Sequence, residues 1–444
     1  MKTVIIGGIA AGTSAAAKLK RLDKEAEVVI YEKSNHVSFG ACGLPYFVGG
    51  FFDNSQNMIA RTVEKFRETG IEVFTGHEVM SVDVENRVLT VCNHETNETF
   101  TTTYDQLMVA TGARSFIPPI KNLELEGVYT LRSMEDGIQL KEVLAKPEVK
   151  KVAIIGAGFI GLEAVEAAKE KGKEIEVFQL EDRILKEVFD QEITELMENE
   201  LTQKGVKLHL NTMVLELEGE KHVKGVITNQ GRIDADCVIL ATGVRPNTDF
   251  IKSTGIACLP NGAIIVDQEG RTSIEGIYAA GDCASIWHLV KEEASYIPLA
   301  TGANKLGRIV GENLAGAHRQ FKGSLGSSCI KLLDLEAGRT GLTEEEAKKA
   351  GIEYKTVFIK DKNQTDYYPG QEDIYVKLLY RTDDKVLIGG QVIGKKDAVQ
   401  RANVLAVAIT AKMTVTQLGM VDLCYAPPFA RTWDVLNVAG NVAK

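Results

Sequence analysis

Cys42 stands alone in Ser38-Phe39-Gly40-Ala41-Cys42-Gly43-Leu44-Pro45-Tyr46, and the next cysteine along the chain is Cys92. A single thiol that takes part in electron transfer has two routes through its cycle. It is oxidised to a sulfenic acid, or it forms a mixed disulfide with a small thiol taken from a substrate. Two glycine-rich turns accompany it, Gly7-Gly8-Ile9-Ala10-Ala11-Gly12 and Gly156-Ala157-Gly158-Phe159-Ile160-Gly161. Glycines there let the backbone approach a pyrophosphate, and the helix that follows turns its unpaired N–H groups and positive end toward it.

The elements around these turns repeat. Each turn follows an apolar strand, Val4-Ile5-Ile6 or Val152-Ala153-Ile154-Ile155, and precedes a helix and a second strand. The first of those second strands, Val28 to Tyr31, ends in Glu32, which lies 20 residues after Gly12, the spacing of a ribose-hydroxyl ligand. The second copy matches G-x-G-x-x-G at Gly156, Gly158 and Gly161, whereas Ile9 replaces the middle glycine of the first. Two apolar strands run into Ala110-Thr111-Gly112 and Ala241-Thr242-Gly243, and a third ends at Gly281-Asp282. From about Ser324 the pattern changes to alternating strands, with helices over 344–350 and 398–412, which points to a separate α+β domain. The Ala426-Pro427-Pro428-Phe429 segment excludes regular helix.

With 444 residues, two or three domains are expected. A net charge of -10 supplies no basic field, so nucleic acid is not an expected partner. No apolar run reaches about 18 residues and the start reads as a strand, so no membrane association and a cytoplasmic location are expected. The seven cysteines are scattered without C-x2-C spacing, which argues against a zinc site or a disulfide framework. Apart from Cys42, most of them read as small core residues.

The two dinucleotide units, both Ala-Thr-Gly turns, the Gly-Asp segment and the lone cysteine together resemble the pyridine nucleotide-disulfide oxidoreductases. The resemblance is strongest to their single-cysteine branch of NADH peroxidases, water-forming NADH oxidases and coenzyme A disulfide reductases, since Phe47 stands where the two-cysteine relatives have their second cysteine. It implies an α/β fold with two Rossmann-like domains, for FAD and NAD(P), and a C-terminal α+β dimerisation domain. Residues 1–118 and 249–323 would form a discontinuous FAD domain, 119–248 the NAD(P)H domain and 324–444 the dimerisation domain of a homodimer. FAD would meet Gly7, Gly8, Ala11, Gly12, Glu32, Lys33, Ala110, Thr111, Gly112, Gly281, Asp282 and Ala300. NADPH or NADH would meet Gly156, Gly158, Ile160, Gly161, Gln179 and Gly243.

Within that branch, peroxidases and oxidases carry a histidine at the position of Ala10. Coenzyme A disulfide reductases lack it and use tyrosines lent across the dimer, at places matched here by Tyr425 and Tyr367. The resemblance therefore implies reduction of coenzyme A disulfide by NAD(P)H through a mixed disulfide on Cys42. Ser14, Lys18, Arg21 and Ser38 would line the coenzyme A entrance, with Asn304 and Arg431 contributing across the dimer. Lys18 and Arg21, three apart, would share a helix face. Gln179 removes an acid that would repel a 2′-phosphate, and Arg183 is placed to approach one, so use of both nucleotides is expected. The rival readings are an oxidase or peroxidase working through a Cys42 sulfenic acid, a coenzyme A persulfide or polysulfide reductase, and a flavin-free nucleotide-binding sensor. The persulfide reading is not favoured by any rhodanese-like segment in the chain.

Overall fold

The computed structural model describes residues 1–443. Lys2–Ile6 lies parallel to Glu27–Glu32 on one side and Gln106–Val109 on the other, with Ile71–Thr75 and Ile277–Ala279 at the edges. The central strands carry unbroken apolar runs, Val4-Ile5-Ile6, Val28-Val29-Ile30 and Leu107-Met108-Val109, because both faces of this sheet are covered. The second unit repeats the arrangement: Lys151–Ile155 sits between Glu174–Phe178 and Cys237–Leu240. Both units are right for nucleotide binding in that their turns lie at the carboxyl ends of parallel strands.

The strand Ile277–Ala279 returns the chain to the first sheet after the second is complete. Two connections cross between the units there, and they pair as a short antiparallel ribbon, 113–115 with 244–246. The helix Ala300–Leu314 packs along Ala11–Leu22, where Gly307 and Gly311 let the backbones touch. A Cβ on Gly307 would lie 2.5 Å from the Ala11 carbonyl oxygen.

The C-terminal part is a five-stranded antiparallel sheet, with the helix Ala398–Thr410 packed on its Leu335–Gly341 and Leu387–Gly394 strands. Its strand Ser328–Leu332 touches the helix Phe159–Glu170 of the second unit. The expected helices appear as Glu344–Lys349 and Ala398–Thr410, and residues 426–429 form no helix. Cysteine burial differs from the expectation: only Cys237 and Cys283 are buried, Cys92 is intermediate, and Cys258, Cys329 and Cys424 are exposed. The cause is position: Cys329 alternates toward solvent on the edge strand Ser328–Leu332, and Cys258 and Cys424 lie outside the named strands and helices.

Candidate active site

A cavity of about 1740 Å³ runs between the two units and reaches the first residues of the C-terminal sheet. Both glycine-rich turns open onto it. Gly7 and Gly156 each have φ near +104°, and a Cβ on either would fall within 2.3 Å of the carbonyl oxygen of Ala110 or Ala241. Gly12 and Gly161 are equally constrained, because a Cβ would strike the carbonyl oxygens of Gly7 and Gly156. Gly158 has open space, so a phosphate can approach it. The helices that follow begin at Ala10 and Gly158 without a side-chain cap, whereas Met134–Leu144 begins with a full Ser133–Asp136 capping box. Uncapped N–H groups facing a cavity are anion donors.

Glu32 ends its strand on the cavity wall, where Oε2 accepts from the Gly8 N–H at 2.7 Å and Oε1 from the Ser34 N–H at 2.8 Å. Ala11, Lys33, Ala110, Thr111 and Gly112 line the same space, as do Gly281, Asp282 and Ala300 at its other side. Thr111 Oγ1 donates to the Asn247 carbonyl at 2.6 Å, so the Ala-Thr-Gly turn is tied to the returning chain. Asp282 pairs with Arg132 at 3.3 Å, and burial keeps its carboxyl above the usual range despite that cation. Ile160, Gln179 and Gly243 line the second half of the cavity.

Cys42 sits on a single turn, Ala41–Gly43, that leads into the helix Leu44–Gly49, and its sulfur is exposed to the cavity. Ser38 anchors this loop: its N–H donates to the Gly8 carbonyl at 2.8 Å, with φ of 52°. Burial by the surrounding walls pushes the Cys42 thiol up, Glu163 and Asp282 push further, and Arg132 opposes them. Ala10 lines the same cavity as the sulfur. The chain alone therefore brings no proton-transfer group from residue 10 to Cys42.

Two residues of this neighbourhood, Glu163 and Cys329, were not singled out by the sequence, and Tyr46 appeared there only as the end of the Cys42 motif. Glu163, on the helix Phe159–Glu170, faces the cavity, and burial together with Glu166 pushes its pKa up to about 7. Tyr46 lines the wall with its hydroxyl pushed up to about 12 by burial and by Glu163. Cys329 enters from the C-terminal sheet beside Ser327 and Ser328. Only the packing of that sheet against the second unit brings it here.

The entrance residues divide. Ser14 donates to Asn304 at 2.8 Å within the same chain, so these two do meet. Lys18 turns to Glu312 at 3.1 Å and is largely covered, while Arg21 stays exposed, its Nε donating to the Ala17 carbonyl. The two cations, expected on one face, are thus split by the helix Ala300–Leu314. Arg431 is paired with Asp361. Tyr367 and Tyr425 come together, hydroxyl to hydroxyl at 3.2 Å, and both are exposed. Neither lines the cavity that holds Cys42 of their own chain. Arg183, expected near a 2′-phosphate, instead donates to the backbone carbonyls of Phe189 and Lys186.

This double dinucleotide site, with the Cys42 thiol facing the cavity between its halves, defines a flavin- and nicotinamide-dependent redox protein. The chain belongs to the pyridine nucleotide-disulphide oxidoreductase family, whose model matches residues 1–307, with its dimerisation domain matched over 327–435. It is an NAD(P)H-dependent flavoprotein of the disulfide reductase type. It is 38% identical to the NAD(P)H coenzyme A polysulfide/persulfide reductase of Pyrococcus horikoshii, covering 100% of this chain and 98% of the other. An NADH oxidase of Enterococcus faecalis is 34% identical, covering 100% and 99%, and a coenzyme A disulfide reductase of Staphylococcus aureus is 31% identical, covering 100% of each. Among solved structures, an NAD-dependent persulfide reductase from A. fulgidus superposes with a TM-score of 0.96 at 35% identity, covering 100% and 83%. No helix among the described residues is long and apolar enough to cross a membrane.

Proposed function

We propose that this chain reduces coenzyme A disulfide to two coenzyme A thiols at the expense of NAD(P)H, through a mixed disulfide between Cys42 and one coenzyme A. The observation that carries the reading is Ala10 on the wall of the cavity that Cys42 faces: alanine neither holds a proton nor hydrogen-bonds a sulfenate, so oxygen or peroxide chemistry lacks its partner. FAD fits the first-unit half of the cavity by the uncapped start of the helix Ala11–Leu22, the glycines at Gly7 and Gly12 and the Glu32 carboxylate. When bound, it relays the electron pair of NAD(P)H to sulfur.

Gly7, Gly12 and Glu32 hold and orient the FAD adenosine and pyrophosphate, and Gly156, Gly158 and Gly161 do so for the nicotinamide nucleotide. Cys42, once freed as a thiolate, attacks the substrate disulfide; one coenzyme A leaves as a thiolate and the other stays on Cys42. A tyrosine hydroxyl donates to the leaving sulfur. Tyr425, supported by Tyr367, is exposed outside its own chain's cavity, which fits a homodimer in which the partner subunit's Tyr425 reaches Cys42. Ser14, Arg21, Ser38 and Asn304 are the proposed coenzyme A contacts near the entrance. Lys18 and Arg431 join them only by exchanging their present acidic partners.

A second reading, reduction of a coenzyme A persulfide or polysulfide, uses the same residues. The Pyrococcus horikoshii relative favours it, and that relative is matched over 98% of its length, so its named activity requires no extra rhodanese-like segment. Mass spectrometry of the non-reduced protein tests the proposal. An adduct of one coenzyme A on Cys42, released by NADPH or NADH, is expected, with turnover of coenzyme A disulfide. Sulfenic acid at Cys42 with brisk oxygen uptake overturns it, and turnover of persulfide alone selects the second reading.

A further inference from the structure

Reduction of any disulfide by NAD(P)H takes up a proton from water. Splitting one S–S bond into two thiols requires two electrons and two protons, and the hydride of NAD(P)H carries both electrons but only one proton. Both nucleotide turns open onto the cavity that Cys42 faces, so bound nucleotides take up the space through which water reaches the sulfur. The second proton needs another way in.

One wall of that cavity carries acids that the disulfide exchange does not use. On the helix Phe159–Glu170, Glu163 faces the cavity, and Glu166 lies three residues on, along the same side of the helix. Glu166 is 4% exposed, and its Oε2 is buried with no donor among the described residues. Its Oε1 accepts from Lys331 Nζ on the strand Ser328–Leu332, and the Lys331 side chain is 53% exposed. Glu163, Glu166 and Lys331 thus run in series from the cavity, through its wall, to the surface. The helix Leu44–Gly49 packs on the same helix and brings Tyr46 to the cavity beside them. Burial, then Glu163 and Glu166, push the Tyr46 hydroxyl up to about 12, so it remains a donor at working pH. Cys42 and Cys329 are the other titratable groups that feel Glu163. A buried carboxylate oxygen without a donor is costly, and a proton shared by two carboxyls removes the cost, because a protonated carboxyl donates. Burial and Glu166 push Glu163 up to about 7, so it holds such a proton near neutrality.

We propose that Glu163 and Glu166, with Tyr46 beside them, carry the consumed proton from the surface at Lys331 through the cavity wall to the sulfur site. A proton from water adds to the Glu166 carboxylate, passes to Glu163 and leaves into the cavity, where it ends on sulfur. Both carboxyls return to their starting state, and no electron moves along them. The proposal rests on the disulfide-reductase chemistry of the chain and not on coenzyme A being the thiol.

Anaerobic stopped-flow reduction of a sulfur substrate by the FAD-loaded protein, itself first reduced by NADPH or NADH, tests it, with coenzyme A disulfide and inorganic polysulfide as probes. The rate is expected to fall as pH rises through about 7, because Glu163 then loses its proton. Glu163→Gln should be roughly a hundredfold slower near pH 6 and should lose that fall, as removal of a proton donor predicts. Glu166→Gln should also be slower, with the fall moved to lower pH, since the charge that raises Glu163 is gone. Glu163→Ala should regain rate when imidazole is added, which a packing defect does not do. Infrared spectroscopy of the resting protein gives a readout apart from turnover: a carboxylic acid band titrating near 7 should vanish in Glu163→Gln and titrate lower in Glu166→Gln. Unchanged rates in both glutamine variants, no recovery with imidazole, or an infrared titration indifferent to Glu166 overturns the proposal. Turnover of neither probe refutes the coenzyme A reading, and the infrared titration still judges the carboxyl pair.

Discussion

At Cys42 the nearby charges work against the form that reacts. The sulfur is pushed toward the thiol by burial and by Glu163 and Asp282, with Arg132 as the opposing charge. Glu163 itself titrates near 7, so its influence is conditional on pH. Below that value it is neutral; above it the carboxylate repels a thiolate. Alkylation of reduced Cys42 by iodoacetamide, followed by mass spectrometry, should therefore be unchanged in Glu163→Gln at pH 6 and severalfold faster than in the unmodified protein at pH 8. The same carboxyl affects stability. Its folded pKa is raised, so the unfolded state releases its proton first, and stability falls as pH rises from about 4.5 to about 7. Denaturant unfolding of Glu163→Gln should lack that contribution, a difference of roughly 2–3 kcal/mol between pH 4.5 and 8. None of this was legible in the sequence, because Glu163 is one of many glutamates on an ordinary helix. Cys42 was legible from its glycine-rich setting, whereas Cys329 became a site residue only through packing.

The elements that position the nucleotides were readable because each demands particular residue types. Gly7 and Gly156 need a positive φ beneath a crossing strand, and the duplication displays that need twice. The contact between the helices Ala11–Leu22 and Ala300–Leu314 was not readable, since they are almost 280 residues apart and small residues on a helix have no unique partner. Gly307→Ala places its Cβ against the Ala11 carbonyl and should cost about 1–3 kcal/mol by forcing the helices apart. Because Ala11 opens the first-unit helix, the variant should also lose FAD more readily in dialysis, read from flavin absorbance. The same helix contact explains Lys18: spacing put it beside Arg21, but Glu312 on the neighbouring helix drew it away.

Across the whole molecule, the second unit is locked to the C-terminal sheet by Lys377, whose side chain is fully buried. It meets Asp190 at 3.4 Å and Glu192 at 2.6 Å from the second unit, and Glu344 from the C-terminal part. Lys377→Met leaves these acids without their cation and should cost about 3–5 kcal/mol, measured by denaturant unfolding. This lock holds the strand bearing Cys329 against Phe159–Glu170, so the variant also reports on the integrity of the cavity. Tyr425 belongs to this scale because it is proposed to act in a partner subunit. Tyr425→Phe should lower disulfide turnover by roughly a hundredfold, within the range of general acid catalysis, while anaerobic bleaching of the flavin by NAD(P)H keeps its rate.

The sequence by itself determined the two glycine-turn units, the isolation of Cys42 in its loop and the change of style near Ser324, because each is written in local residue types and spacings: glycines where no Cβ fits, an acid or amide at a strand end, alternation in a sheet. The tertiary structure alone decided which side chains share a space. It joined Tyr367 to Tyr425 across 58 positions, turned Lys18 to Glu312, spent Arg183 on its own loop, and brought Glu163 and Cys329 to the cavity of Cys42. Those pairings follow from helix and sheet packing over long separations, which local pattern does not encode.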